Sequence, residues 1–246
     1  MNWQWFHRLG SPRWFYEKSA GWEKGLCIVS VLLLVIGAVW GLGFSPAERL
    51  QGNSARILYI HVPSAIVAMA GYYVMAISGA IGLIWRMKLS FMSMKSAAHI
   101  GAVLTFIALL TGAFWGKPTW GTFWEWDARI TSTFILFLLY LGVLGLQSAY
   151  ANQETADKTS AILALVGSVN IPIIYLSVKF WNTLHQGATI KIVGESSIHG
   201  SMAYPLVIMI IAFYVAFFWL LIAHVRAEIL VRERKTVWVQ DLIKEG

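Results

Sequence analysis

The sequence predicts an all-α integral membrane protein, a six-transmembrane-helix bundle with a tryptophan-rich periplasmic segment. Three observations carry that prediction. Of the 246 residues, 58% are hydrophobic and 13% charged, far from the composition of a soluble domain of this size. Several apolar runs approach the ~20 residues a helix needs to cross the hydrocarbon core. Between two of them lies Trp115-Gly-Lys-Pro-Thr-Trp120-Gly-Thr-Phe-Trp124-Glu-Trp126-Asp127-Ala-Arg129-Ile-Thr131, which holds four of the thirteen tryptophans within twelve residues. That stretch is too polar to cross hydrocarbon. Its rings suit a membrane–water interface, where an indole is half apolar and its N–H finds a partner.

The elements follow in order, within one polytopic domain spanning 1–246. Residues 1–23 hold Trp3, Trp5, Phe6, Trp14, Phe15 and Tyr16 but no apolar core with a cleavage site. They read as a cytoplasmic segment at the interface rather than a removed signal peptide. The bundle occupies 24–224, with spans expected at 24–43, 60–85, 96–114, 130–150, 160–180 and 204–224. Helices are expected because lipid tolerates no unpaired backbone and no run alternates like a barrel strand. Asn170 and Pro172 are expected to kink the fifth span. The tail, 225–246, alternates charged and apolar residues and is expected to form a short surface helix.

Lys and Arg set the orientation. With the N-terminus inside, thirteen of the nineteen fall on inner segments and six on outer ones. This bias places both termini in the cytoplasm of a bacterial inner membrane and the 115–131 segment in the periplasm. The same bias accounts for the pI near 9.6 without nucleic acid. The one cysteine, Cys27, allows no intrachain disulfide, and no C-x-x-C-H is present. The spans carry almost no charge, unlike a transporter with a midplane site.

Six histidines remain. His7, His99 and His224 fall on the inner side, and His199 in the third outer loop. His61, in Tyr59-Ile-His-Val-Pro63, stands at the outer mouth of the second span, where Pro63 suits a first helical turn. His185, in Trp181-Asn-Thr-Leu-His-Gln-Gly187, stands beyond the outer end of the fifth. Each alone reads as a hydrogen-bonded interfacial residue. Together, at the level of an aromatic shelf of Trp115, Trp120, Trp124 and Trp126, they suit haem: axial imidazoles for the iron and apolar walls for the porphyrin. Arg56 and Arg129 are candidate partners for its propionates, or plain interfacial anchors. Asp127 either pairs with Arg129 or fixes the geometry of the shelf. An acid–base role for it has no second feature behind it, and no enzyme activity is expected. Gly112, Gly116 and Gly121 suit packing and turns.

The motifs Gln51-Gly-Asn-Ser-Ala-Arg56, Tyr59-Ile-His61-Val-Pro63, Trp115 to Arg129 and Trp181 to Gly187 together resemble the haem exporter protein C (CcmC) family. That family belongs to the "WWD" haem-handling superfamily of c-type cytochrome biogenesis. The resemblance implies that His61 and His185 are axial ligands of transiently held haem b, supported by the tryptophans. It implies delivery to the membrane-anchored haem chaperone CcmE, alongside CcmA, CcmB and CcmD. No G-x-x-x-x-G-K-[ST] motif is present, so ATP use would belong to a partner. Two other readings stay open: a permease subunit of an ABC complex, and a b-type electron-transfer cytochrome.

Overall fold

The computed structural model describes Arg8, residues 10–185 and residues 198–245. Among these, six helices or helix pairs are long and apolar enough to cross a membrane, and no strand is present. The protein is an all-α, multi-pass membrane protein.

Helix α1, Pro12–Ala38, starts where Ser11 caps the Trp14 N–H and proline opens the first turn, where no bonded N–H is lost. One π turn, Val39–Phe44, extends it. Residues 12–23 thus belong to the same helix as the first span. His7, Trp3, Trp5 and Phe6 lie outside the described residues. α1 packs along α7 (Gly200–Arg232), with Gly37 against Met209; a Cβ there would come within 2.6 Å of the Met209 sulfur.

A 3-10 turn, Asn53–Ile57, leads into α2, Leu58–Trp85, and a tight turn with Arg86 in the left-handed region (φ 52°) leads into α3, Lys88–Trp120. The core lies between α2, α3 and α4 (Ala128–Ala149), around Tyr72, Met75, Met94 and Tyr140. The buried Tyr140 hydroxyl donates to Ala68 O at 2.7 Å. Its ring lies flat on Gly101, where a Cβ would meet Tyr140 Cζ at 2.1 Å, so only glycine admits it.

The fifth span is two helices, α5 (Gln153–Gly167) and α6 (Asn170–Phe180). The break falls at Ser168 and Val169, just before Asn170 and Pro172. Asn170 Nδ2 donates across to Ser132 O of α4 at 2.9 Å, which satisfies the amide inside the bundle. The tail forms α8, Val237–Glu245, and Trp238 packs on Tyr16.

Six crossings bring residue 12 and α8 to one end, here the terminal end, and the tryptophan segment to the other. At the terminal end Arg232 binds Asp157 at 2.7 and 3.0 Å and Glu228 at 2.6 Å, and Glu228 binds Lys95 at 2.9 Å. This buried network joins α3, α5 and α7.

Candidate functional site

The tryptophan segment is not one loop. At 33 residues, α3 is about 50 Å long and exceeds the ~30 Å hydrocarbon core. It carries Trp115 and Trp120 on its last turns and stops at Gly121, whose φ of 81° closes the cap. The irregular stretch 121–127 holds Trp124 and Trp126. The expected outer loop is thus half helical, because Lys117 and Gly121 terminate the helix beyond the membrane: Gly121 N donates to Lys117 O, and Lys117 Nζ to Gly121 O.

His61 sits near the start of α2. Pro63 falls in the second turn, not the first, because the α-helix already starts at Leu58, two residues before the expected start. The Nδ1 of His61 lies 2.9 Å from Ala108 O and 3.2 Å from Thr111 Oγ1 on α3. A carbonyl only accepts, so Nδ1 carries the proton and Nε2 keeps its lone pair. Gly112 makes room for the ring: a Cβ there would stand 3.0 Å from His61 Cε1.

His185 arrives from the stretch after α6. Its ring centroid lies 6.1 Å from that of His61, with the planes inclined by 32°. Trp115 meets His61 edge-on at 5.7 Å, and Trp120 lies 6.2 Å from His185. Ring contacts thus run from Trp115 to His61, from His61 to His185 and from His185 to Trp120. Two metal–nitrogen bonds of about 2 Å, with half an imidazole on either side, sum to about 6 Å. The spacing of the two histidines fits one metal atom between them.

Asp127 holds this arrangement from α4. Its Oδ1 caps the helix by accepting from Ile130 N at 2.7 Å. Its Oδ2 accepts from the Thr183 hydroxyl and from Leu184 N, and Thr183 Oγ1 in turn accepts from His185 N at 3.0 Å. Asp127 thus fixes geometry; no salt bridge to Arg129 forms among the described residues.

The other predicted residues are placed elsewhere. Arg129 Nη1 donates to Ile174 O of α6 at 3.3 Å. Arg56 donates to Leu42 O at 2.9 Å and Ser45 O at 2.7 Å, tying the turn before α2 to the end of the first span. Trp124 and Trp126 meet edge-on at 5.2 Å and both meet Phe134 of α4. The Trp124 indole N–H is buried without a partner among the described residues. His199 caps α7 through Ser201 N.

Sequence reasoning missed three supports. Gln51 accepts from Trp115 Nε1 at 2.8 Å, Thr111 backs His61, and Thr183 links His185 to Asp127. Each acts across 50 or more residues, beyond any local pattern.

The family model described as "Heme exporter protein C" matches residues 5–240. Curated proteins named heme exporter protein C align over nearly the full length. That of Haemophilus influenzae is 43% identical over 240 residues, covering 98% of both chains. That of Escherichia coli strain K12 is 45% identical over 241 residues, covering 98% of this chain and 97% of the relative. That of Bradyrhizobium diazoefficiens is 44% identical over 229 residues, covering 93% and 87%. The chain belongs to the heme exporter protein C family.

Proposed function

We propose that this protein handles haem for c-type cytochrome maturation, holding it between His61 and His185 on the periplasmic face of a bacterial inner membrane. From there it passes the haem to the chaperone CcmE, working with CcmA, CcmB and CcmD. Family membership supports the haem-handling role, and the excess of Lys and Arg at the terminal end supports the orientation. The observation that carries the site is the ring pair at 6.1 Å with Trp115 and Trp120 at its ends.

The haem supplies an iron with two axial positions, and the chain supplies the rest. The Ala108 carbonyl presents His61 Nε2 as the ligand. Asp127 and Thr183 set the backbone of His185, which therefore stands on a short tether while His61 is anchored in a helix. This asymmetry makes His185 the ligand that yields when an acceptor competes for the iron. Trp115 and Trp120 wall the site, and Arg56, Arg129 and the Trp124 N–H are the candidate donors to the propionates. A position at the end of the bundle, not at its mid-depth, favours delivery over electron transfer through the membrane.

The test is the absorption spectrum of detergent-purified protein from haem-replete cells, beside His61→Ala and His185→Ala. A low-spin six-coordinate spectrum lost in both variants supports the site. An unchanged spectrum in both removes these residues as ligands.

A further inference from the structure

A second pair of imidazoles faces each other at the terminal end. His99 on α3 and His224 on α7 have ring centroids 5.9 Å apart and planes inclined by 32°. The corresponding values for His61 and His185 are 6.1 Å and 32°. His99 Nδ1 lies 2.9 Å from Lys95 O, so it donates, and Nε2 keeps its lone pair. This is the tautomer that Ala108 imposes on His61.

The depth of the pair is the second observation. Lys95 and Glu228, on the same two helices, pair at 2.9 Å one turn nearer the terminal end. His99 and His224 lie about 6 Å deeper, one helical turn. Both are exposed on the outside of the bundle. The same face of α3 continues with the exposed, apolar Val103, Phe106 and Leu110. Ionisable side chains on an exposed face that continues as apolar surface are costly in lipid, and where they occur they usually mark a site.

The number of ligands selects the cargo. Among the described residues no group of three or more His, Cys, Asp or Glu could hold a metal ion. Protein zinc sites take three or four side chains. A porphyrin brings four nitrogens of its own and asks the protein for two, and its faces suit an apolar, lipid-facing wall.

We propose that His99 and His224 form a second iron-porphyrin site, open to the lipid at the terminal end of the bundle. It rests on the reading of haem as cargo, and it gives the protein a place to hold that cargo on the side opposite the His61–His185 site.

The experiment titrates ferric haem into the full chain in detergent and counts equivalents by low-spin bis-imidazole absorbance. Four forms are compared: wild type, His99→Gln with His224→Gln, His61→Ala with His185→Ala, and all four changes together. Glutamine keeps the two inner positions polar, and gel filtration checks that each form stays monodisperse. The expected counts are two, one, one and none above empty micelles. No haem on the His61/His185 variant overturns the inner site and leaves the outer one standing. Two equivalents on that same variant, with loss on the His99/His224 variant, sinks the outer assignment and keeps the inner. Zinc bound by the inner pair with no haem bound there overturns the porphyrin assignment.

Discussion

The Thr183 hydroxyl donates to Oδ2 of Asp127, and through that contact the first turn of α4 fixes the backbone that carries His185. One carboxylate thus does two things: it caps a helix with one oxygen and holds the backbone leading to His185 with the other. Thr183→Val leaves the cap intact and cuts the hydroxyl link to His185 N, while Leu184 N stays on Oδ2. Hydrogen bonds to a charged group contribute about 1.5–3 kcal/mol to stability, and this one is formed in the haem-free fold, so the thermal midpoint should fall and haem affinity should fall with it, by up to about tenfold. Asp127→Ala should show the same loss of affinity plus about 1 kcal/mol of lost capping. Haem titration and thermal melts of both variants separate the two effects. Wild-type affinity in Thr183→Val would mean that something else places His185.

Gly112 is the floor beneath His61. A Cβ at that position would stand 3.0 Å from Cε1 and 3.4 Å from Nδ1, closer than the ring tolerates without moving a few tenths of an ångström. The contact to Ala108 O would lengthen with it. Gly112→Ala is expected to weaken haem binding several-fold and to disturb the low-spin spectrum. Gly145→Ala on α4, where nothing lies within 4 Å, is the matched control and should bind as wild type. Equal spectra for the two variants would show that His61 has room to spare.

Much of this was legible in the sequence because lipid simplifies the problem. Six apolar runs give six crossings, since backbone polar groups in hydrocarbon must be satisfied within a helix. His61 and His185 stood out as outer-edge histidines beside tryptophan. Less legible was where helices end: α3 runs through Trp115 and Trp120 because propensity and the Gly121 cap, not hydropathy, decide its end. Nor could the roles of Arg56 and Arg129 be read locally. Both have backbone carbonyls of other segments within reach, at Leu42, Ser45 and Ile174. Single-sequence patterns hold no record of such distant pairs, which is also why Thr183 and Gln51 carried motifs without roles.

Glu48 links pH to the wall of the site. Its Oε2 accepts from Gln51 N at 2.6 Å and Leu50 N at 2.8 Å, and Gln51 Oε1 holds the Trp115 indole at 2.8 Å. The two backbone N–H groups, Gln51 first, hold its carboxyl below the ordinary value of 4.5. A depressed folded pKa means that the charged form is favoured in the fold. Its contribution is present above 4.5 and lost as pH falls through the lower folded value. Hydrogen exchange should show the Leu50 and Gln51 amides losing protection in that acid window. Glu48→Gln should abolish the transition, with weaker protection at all pH values; a transition that persists in the variant would assign it to another group.

The terminal-end network should govern stability and leave the His61–His185 site alone. Arg232 and Asp157 are almost fully buried, with side-chain exposures of 11% and 8%. Removing one partner of a buried pair strands the other charge, which costs about 3–5 kcal/mol. Asp157→Ala should therefore lower the thermal midpoint sharply in detergent. Its neighbours sharpen the expectation: Gln147 and Gln153 both donate to Asp157 Oδ1, at 3.1 and 3.2 Å, and lose their acceptor with it. Replacing both charges, Asp157→Leu with Arg232→Met, should recover part of the loss, because no isolated charge is left on that side. Recovery should be incomplete, since Glu228 then keeps only Lys95. The haem spectrum of each folded variant should match wild type at the tryptophan end, about 30 Å away across the hydrocarbon. A double variant no more stable than Asp157→Ala would show that the network stabilises through its geometry as a whole, and not through balance between these two charges.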